Sequence, residues 1–183
     1  MIKNLPTMET ITAKVMELME EHIEIEKPLV SNAPLAAELG LDSLDLIETS
    51  FSLQEFFDFD FSDKSALEAL NEVMGDDSII SEGLLTPTGR EMVVKRMPEL
   101  AHVQLPEKLS ASQIQQYFTV ETFARLILEF YLAAPETCPE TGENVMVKEF
   151  KIVTESTHTP VKVPSGDALI DQWVSDMVPV LQG

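Results

Sequence analysis

Apolar residues recur at three- and four-residue steps in three stretches of the chain, at about 8–25, 120–132 and 166–178. This spacing predicts amphipathic helices. Thr7 and Thr119 precede the first two stretches and are suited to capping a helix N-terminus. Ser165-Gly166-Asp167 begins the third stretch. We therefore expect an all-α fold.

A further helix, predicted from Ser43 to about Phe57, carries two apolar stripes, because successive helical residues advance by about 100°. The side expected to face the core carries Leu46, Leu53 and Phe57. The opposite side carries Leu44, Ile47 and Phe51, flanked by Glu48 and Glu55. A helix of a small bundle buries one face, so the second stripe needs a partner, a ligand or a covering segment of its own.

In two segments, 65–109 and 135–183, the spacing of apolar residues is less regular. In the first, residues 66–74 and 87–100 predict short helices, and we interpret the segment as an inserted helical hairpin. It holds the densest basic cluster of the chain, Arg90, Lys95 and Arg96. Residues 110–116 predict a short helical turn. In the second segment, residues 145–153 are rich in Val and Ile, which predicts a short strand before the final helix.

Charge narrows the classes of function. The 183 residues include 12 Lys plus Arg against 32 Asp plus Glu, a formal net charge of −20. This balance argues against nucleic-acid binding and against anionic membranes, and favours basic partners. No stretch is apolar for long enough to span a bilayer. The single cysteine, Cys138, and the lack of an apolar N-terminal run indicate a cytoplasmic protein without disulfides.

The residues with most chemical meaning are 39–45, with the sequence LGLDSLD. Ser43 follows a glycine turn and begins a helix, so its hydroxyl is held at a helix N-terminus, where a phosphodiester would meet the positive end of the dipole. No Lys or Arg occurs between Lys27 and Lys64, so the helix that follows is acidic throughout. Its second apolar stripe lies beside these acids and suits an apolar socket with a basic rim.

Residues 39–58 resemble the phosphopantetheine attachment region of acyl carrier proteins, whose hallmark is Asp-Ser-Leu at the start of the second helix. The resemblance covers about 8–63 and 110–132. It implies an acyl-carrier-protein-like four-helix bundle over residues 7–134, interrupted by an insertion at 65–109 and followed by a C-terminal extension at 135–183. The insertion, the extension and the polar residues Thr49 and Ser50 depart from the family pattern.

The resemblance implies that a phosphopantetheinyl transferase attaches 4'-phosphopantetheine to Ser43. The protein would then carry acyl groups as thioesters, in fatty-acid-like or polyketide-like biosynthesis, as a monomer without catalysis of its own and without a metal. Asp42 and Gly40 would shape the turn beside the attachment point. The face that docks the transferase and acyl-processing enzymes, all with basic surfaces, would comprise Leu44, Asp45, Ile47, Glu48, Phe51 and Glu55.

The residues alone leave other interpretations open. Ser43 could be an ordinary capping serine, and the acidic face could be merely solvated. The stripe could be buried under the insertion, with the basic cluster folded over the acidic helix. The protein could also be a carrier-like interaction domain that is never modified. A nucleophilic hydrolase is disfavoured, because the Gly-x-Ser-x-Gly pattern after a strand is missing. Residues 58–63 lack the glycine of a calcium loop.

Overall fold

The computed structural model describes residues 2–75 and 77–183. Its regular elements are, in chain order, α1 (Met8–His22), α2 (Ser43–Phe57), α3 (Ala66–Met74), β1 (Ile80–Ser81), β2 (Leu84–Leu85), α4 (Pro87–Arg96), α5 (Val120–Ala133), β3 (Val145–Lys148), β4 (Lys151–Thr154) and α6 (Gly166–Gln182). Two short 3₁₀ helices, Pro98–His102 and Ala111–Tyr117, lie between α4 and α5. The predicted, mostly helical fold is confirmed, with two small two-stranded sheets added. None of the helices in these ranges has the length and apolar character to cross a membrane.

The first core is a helical bundle in which α1 packs against both α2 and α5. Its buried aliphatic and aromatic side chains include Ile11, Val15, Leu53, Phe57, Ile127 and Phe130. The inner face predicted for α2 is confirmed, and Leu46 is partly buried on it. Thr49 is also buried there, and its hydroxyl donates to the carbonyl of Asp45 at 2.8 Å. Thr49 departs from the family pattern, but its hydroxyl therefore has a hydrogen-bond partner within its own helix.

The C-terminal extension adds an antiparallel hairpin, β3–β4, to this bundle, where the sequence predicted one strand. Its turn residues, Glu149 and Phe150, both have positive φ, 48° and 64°, as a tight hairpin turn requires. The Phe150 ring lies against Phe57, with centroids 5.7 Å apart. The Tyr131 hydroxyl donates to the carbonyl of Phe150 at 2.6 Å, and burial raises the pKa of Tyr131. These contacts hold a left-handed phenylalanine in place.

A second core joins the insertion to α6. Its buried members from the insertion include Leu67, Leu70, Ile79, Met92, Val93 and Leu100, and those from α6 are Ile170 and Val174. Helix α3 makes its main contact with α6. The extension is thus shared between the two cores, its hairpin packing on the bundle and its helix on the insertion.

The prediction that the insertion is a helical hairpin is wrong in one part, because a β-hairpin stands between α3 and α4. Glu82 and Gly83 form its turn, with φ of 50° and 78°. The predicted helix 87–100 also divides at Met97, which has φ −132° and ψ 76°. The residue that follows is a proline, which disfavours helical geometry in the residue before it. A 3₁₀ helix begins at that proline.

Candidate functional site

The start of α2 is fixed by a reciprocal set of hydrogen bonds. Asp42 is the N-cap, and its Oδ1 accepts from the backbone N–H groups of Leu44 at 2.8 Å and Asp45 at 3.0 Å. The Asp45 carboxylate accepts in turn from the N–H of Asp42 at 2.8 Å. This capping box satisfies donors that a helix N-terminus otherwise leaves free. Gly40, with φ 83°, turns the chain into the cap, and buried Leu41 anchors it.

Ser43 is the first residue of α2 and is exposed to solvent. Because Asp42 caps the helix, Ser43 is not its N-cap. The interpretation of Ser43 as an ordinary capping serine is therefore wrong. An accessible primary hydroxyl is left at the positive end of the α2 dipole, which favours an attached phosphodiester.

The loop before the site is held against the start of α5. The N–H of Leu35 donates to the carbonyl of Phe118 at 2.8 Å, and that of Ala37 donates to Gln116 at 3.1 Å. Glu121 donates its N–H to the carbonyl of Ser31 at 3.0 Å. These backbone bonds fix the loop that leads into Gly40. Sequence reasoning missed this support, since backbone partners far apart in the chain leave no pattern in the side chains.

The second apolar stripe of α2 is open to solvent. The exposed fractions are 66% for Leu44, 49% for Ile47 and 66% for Phe51. The insertion therefore leaves this stripe uncovered, and the interpretation that it is buried there is wrong. A patch of three large apolar side chains on one helix face is typical of an interaction site.

Three acidic residues lie beside this stripe, Asp45, Glu48 and Glu55. Among the described residues, none of their carboxylates has an ion-pair partner. Two lysines lie near the C-terminal end of α2. Lys14 lies over the Phe56 ring at 5.2 Å, and Lys151 donates to the Phe56 carbonyl. A cation there complements the negative end of the helix dipole. Among the described residues, no ion pair involves a carboxylate in the half of α2 nearest Ser43.

The basic cluster of the insertion faces other parts of the molecule. Arg90 donates to backbone carbonyls of the loop that includes Pro106, at 2.6 Å. Arg96 pairs with Glu129 on α5 at 2.7 Å and lies 5.7 Å from the Trp173 ring centroid on α6. The hypothesis that this cluster covers the acidic face of α2 is wrong for both arginines. They hold the insertion to α5, α6 and its own loop.

The remaining candidate groups are possible metal ligands and the single cysteine. Among residues 2–75 and 77–183, no three or more His, Cys, Asp or Glu side chains are arranged to hold a metal ion. Cys138 is buried in a loop, where the Thr141 hydroxyl and neighbouring backbone amides lower the pKa of its thiol. It belongs to the first core and not to the surface around Ser43.

Together these features define a class of protein. Its members are helical bundles that present an accessible serine at the start of an acidic helix, next to an apolar stripe.

Comparison with known proteins leads to the same class. The chain is 33% identical over 79 residues to an acyl carrier protein of Coprothermobacter proteolyticus, a match covering 43% of this chain and 88% of the relative. No family model matches the chain, and no solved structure does. With a relative of this identity matched over most of its length, the chain belongs to the acyl carrier protein family. Its role is that of a carrier protein.

Proposed function

We propose that this protein carries acyl groups on a 4'-phosphopantetheine arm esterified to Ser43. The observation that supports it is an exposed Ser43 hydroxyl that does not cap α2, at the N-terminus of an acidic helix. The arm would supply a terminal thiol on which acyl groups are held as thioesters. The chain's own part is to present the hydroxyl, to fix its orientation through Asp42 and Asp45, and to favour the phosphodiester through the helix dipole.

The fit of the arm to these residues rests on their geometry. The Asp42–Asp45 capping box holds the first turn of α2 rigid, so Ser43 is presented in one orientation. Gly40, with φ 83°, forms the turn before the cap, and Ser43 is exposed to solvent. A modifying enzyme can therefore reach the serine from the solvent side.

A second part of the proposal concerns partners. The exposed Leu44, Ile47 and Phe51 would insert into an apolar socket, while Glu48 and Glu55 would meet basic residues at its rim. Opposite charge at an interface speeds association and selects the partner. We propose this docking face for the transferase and for acyl-processing enzymes of fatty-acid-like or polyketide-like biosynthesis. The net charge of −20 opposes self-association, so we propose a monomer, acting in the cytoplasm.

The attachment can be tested with the apo-protein, coenzyme A and a broad-specificity phosphopantetheinyl transferase. Intact mass should rise by one phosphopantetheine group. Ser43→Ala should gain nothing, while Ser112→Ala, which removes another exposed hydroxyl at the start of a helical turn, should be modified like the wild type. An unmodified wild type would favour the alternative, a carrier-like interaction domain without acyl transport.

The docking face can be tested with the same transferase. Phe51→Ala should lower kcat/KM about ten-fold, since an apolar anchor in an interface contributes more than about 1 kcal/mol. Leu132→Ala is the matched control, because Leu132 on α5 is also 66% exposed but lies outside the docking face. Equal rates for the two variants would contradict the proposed face.

A further inference from the structure

A groove between α3 and α6 lies on the second core, apart from α2. Its apolar lining comes from both helices, Ala69 and Val73 on α3 with Val174, Val178 and Pro179 on α6. The groove has a volume of about 580 Å³ and opens to solvent. Val174 is buried at its floor, whereas Val73 is 62% exposed at its lip. An apolar channel between two helices is the form of site that receives an amphipathic helix.

The described residues that line the groove include two carboxylates and one cation. Glu72 on α3 and Asp171 on α6 line the groove and are exposed. Lys64 is the one cation among the described lining residues, and it already lies 3.5 Å from Asp167 and 3.7 Å from Asp171. The rim therefore keeps an excess of carboxylate, which attracts a cationic occupant.

We propose that the α3–α6 groove binds a basic amphipathic helix of a partner protein. The partner's apolar row would cover Val73 and Val178, and its basic side chains would meet Glu72 and Asp171. The net charge of −20 opposes a second copy of this chain and an anionic membrane as occupants. This surface is independent of Ser43 and would recruit a protein whether or not the arm is present.

The test uses the full-length, isotope-labelled protein and a synthetic amphipathic helix of leucine and lysine, followed by amide chemical shifts. Residues of α3 and α6 along the groove should shift and saturate. A peptide with glutamate in place of lysine should leave them unchanged, as should one with serine in place of leucine. Binding to α2 is read separately, from the amides of residues 43–57.

Two matched variants assign the binding to the groove. Val73→Asn should raise the dissociation constant read from groove amides about ten-fold, which corresponds to about 1.4 kcal/mol. Val180→Asn, at an exposed valine of α6 that does not line the groove, should change it less than two-fold, a difference of about 0.4 kcal/mol. Both positions are at the surface, so both variants should fold.

Several outcomes would overturn the proposal. Shifts confined to α2, or equal effects of the two valine variants, would remove the groove as the site. Equal binding of the glutamate peptide would remove the basic partner. Groove shifts that follow protein concentration without peptide would indicate a second copy, and shifts with anionic lipid vesicles alone would indicate a membrane. None of these results depends on modification of Ser43, so they leave the proposed carrier function to its own test.

Discussion

At the scale of single residues, the candidate site depends on the fact that Asp42, and not its neighbour Ser43, caps α2. Asp42 makes the capping bonds that a serine often makes, and Asp45 returns one of them. Ser43 is thereby left with its hydroxyl available at the surface. A serine that served as the cap would be occupied by backbone N–H groups. We therefore propose that Asp42, which precedes the serine, is a positioning residue.

Because Asp42 caps α2, removing its side chain should have two effects. Asp42→Ala should lower the free energy of unfolding by about 1 kcal/mol, because the N–H groups of Leu44 and Asp45 lose their acceptor. It should also slow modification of Ser43, because the first turn of α2 would fray. Denaturant unfolding and the initial rate of the transferase reaction measure the two effects.

Asp42→Asn is the control for that substitution, since its side-chain oxygen still caps a helix. It should recover most of the lost stability and most of the rate. An Asp42→Ala protein as stable and as rapidly modified as the wild type would show that the cap has no such role.

At the scale of elements, local signals predicted α2 and α3 correctly, whereas the predicted helix 87–100 divides at Met97. The predicted bounds 43–57 and 66–74 are confirmed as α2 and α3, because Asp42 and Ser65 cap their N-termini and Asp58 and Gly75 end them in left-handed geometry. The hairpin β1–β2 was missed, although its Glu82-Gly83 turn lies between two apolar pairs, a pattern typical of short hairpins.

Contacts between distant segments could not be predicted in the same way. Gly166 illustrates why, because a Cβ there would lie 2.3 Å from the N of Ser62. The close approach of α6 to the chain after α2 therefore requires glycine, yet the sequence shows only a residue suited to a helix start. Two other contacts also join segments that are far apart in the chain. They are the ion pair between Arg96 and Glu129 and the packing of α3 against α6. Within the candidate site, only Ser43 and its neighbours carried a pattern that sequence reasoning could use.

The docking of α6 should depend on pH through Asp167. The Ser62 hydroxyl donates to its carboxylate, and this bond, with Lys64 nearby, lowers the pKa of Asp167 below the usual 3.8. A carboxyl with a lowered folded-state pKa adds stability above its unfolded pKa and loses it as the pH falls through the folded value. This contribution is therefore present at neutral pH and lost below about pH 4.

Asp167→Asn tests this pH dependence. The variant should be less stable than the wild type at pH 6, and the two unfolding free energies should converge as the pH is lowered from 4 towards 2. Asp171→Asn leaves the Ser62–Asp167 contact in place and should keep the wild-type response to acid. A constant difference between wild type and Asp167→Asn across this range would contradict the assignment.

At the scale of the whole molecule, the dominant feature is the excess of negative charge. Net repulsion destabilises a compact state, and the described exposed ion pairs, such as Lys3–Glu155, offset little of it. The charge nevertheless favours encounter with basic partners. Stability and partner binding should therefore respond to salt in opposite directions.

This prediction is tested by raising sodium chloride from low concentration to about 1 M, where the screening length falls to about 3 Å. The thermal midpoint should rise, because self-repulsion is screened. The second-order rate of the transferase reaction should fall, and more steeply for the wild type than for Glu48→Gln. A midpoint that falls with salt, or identical salt dependence in the two proteins, would contradict this electrostatic account.

The central claim is that Ser43 bears a phosphopantetheine arm, and intact mass spectrometry of the protein from its native cells tests it most directly. The account predicts a chain heavier than its sequence by one phosphopantetheine, with or without an acyl group, and the added mass on the peptide that contains Ser43. A protein of unmodified mass, or one modified at another residue, would contradict it.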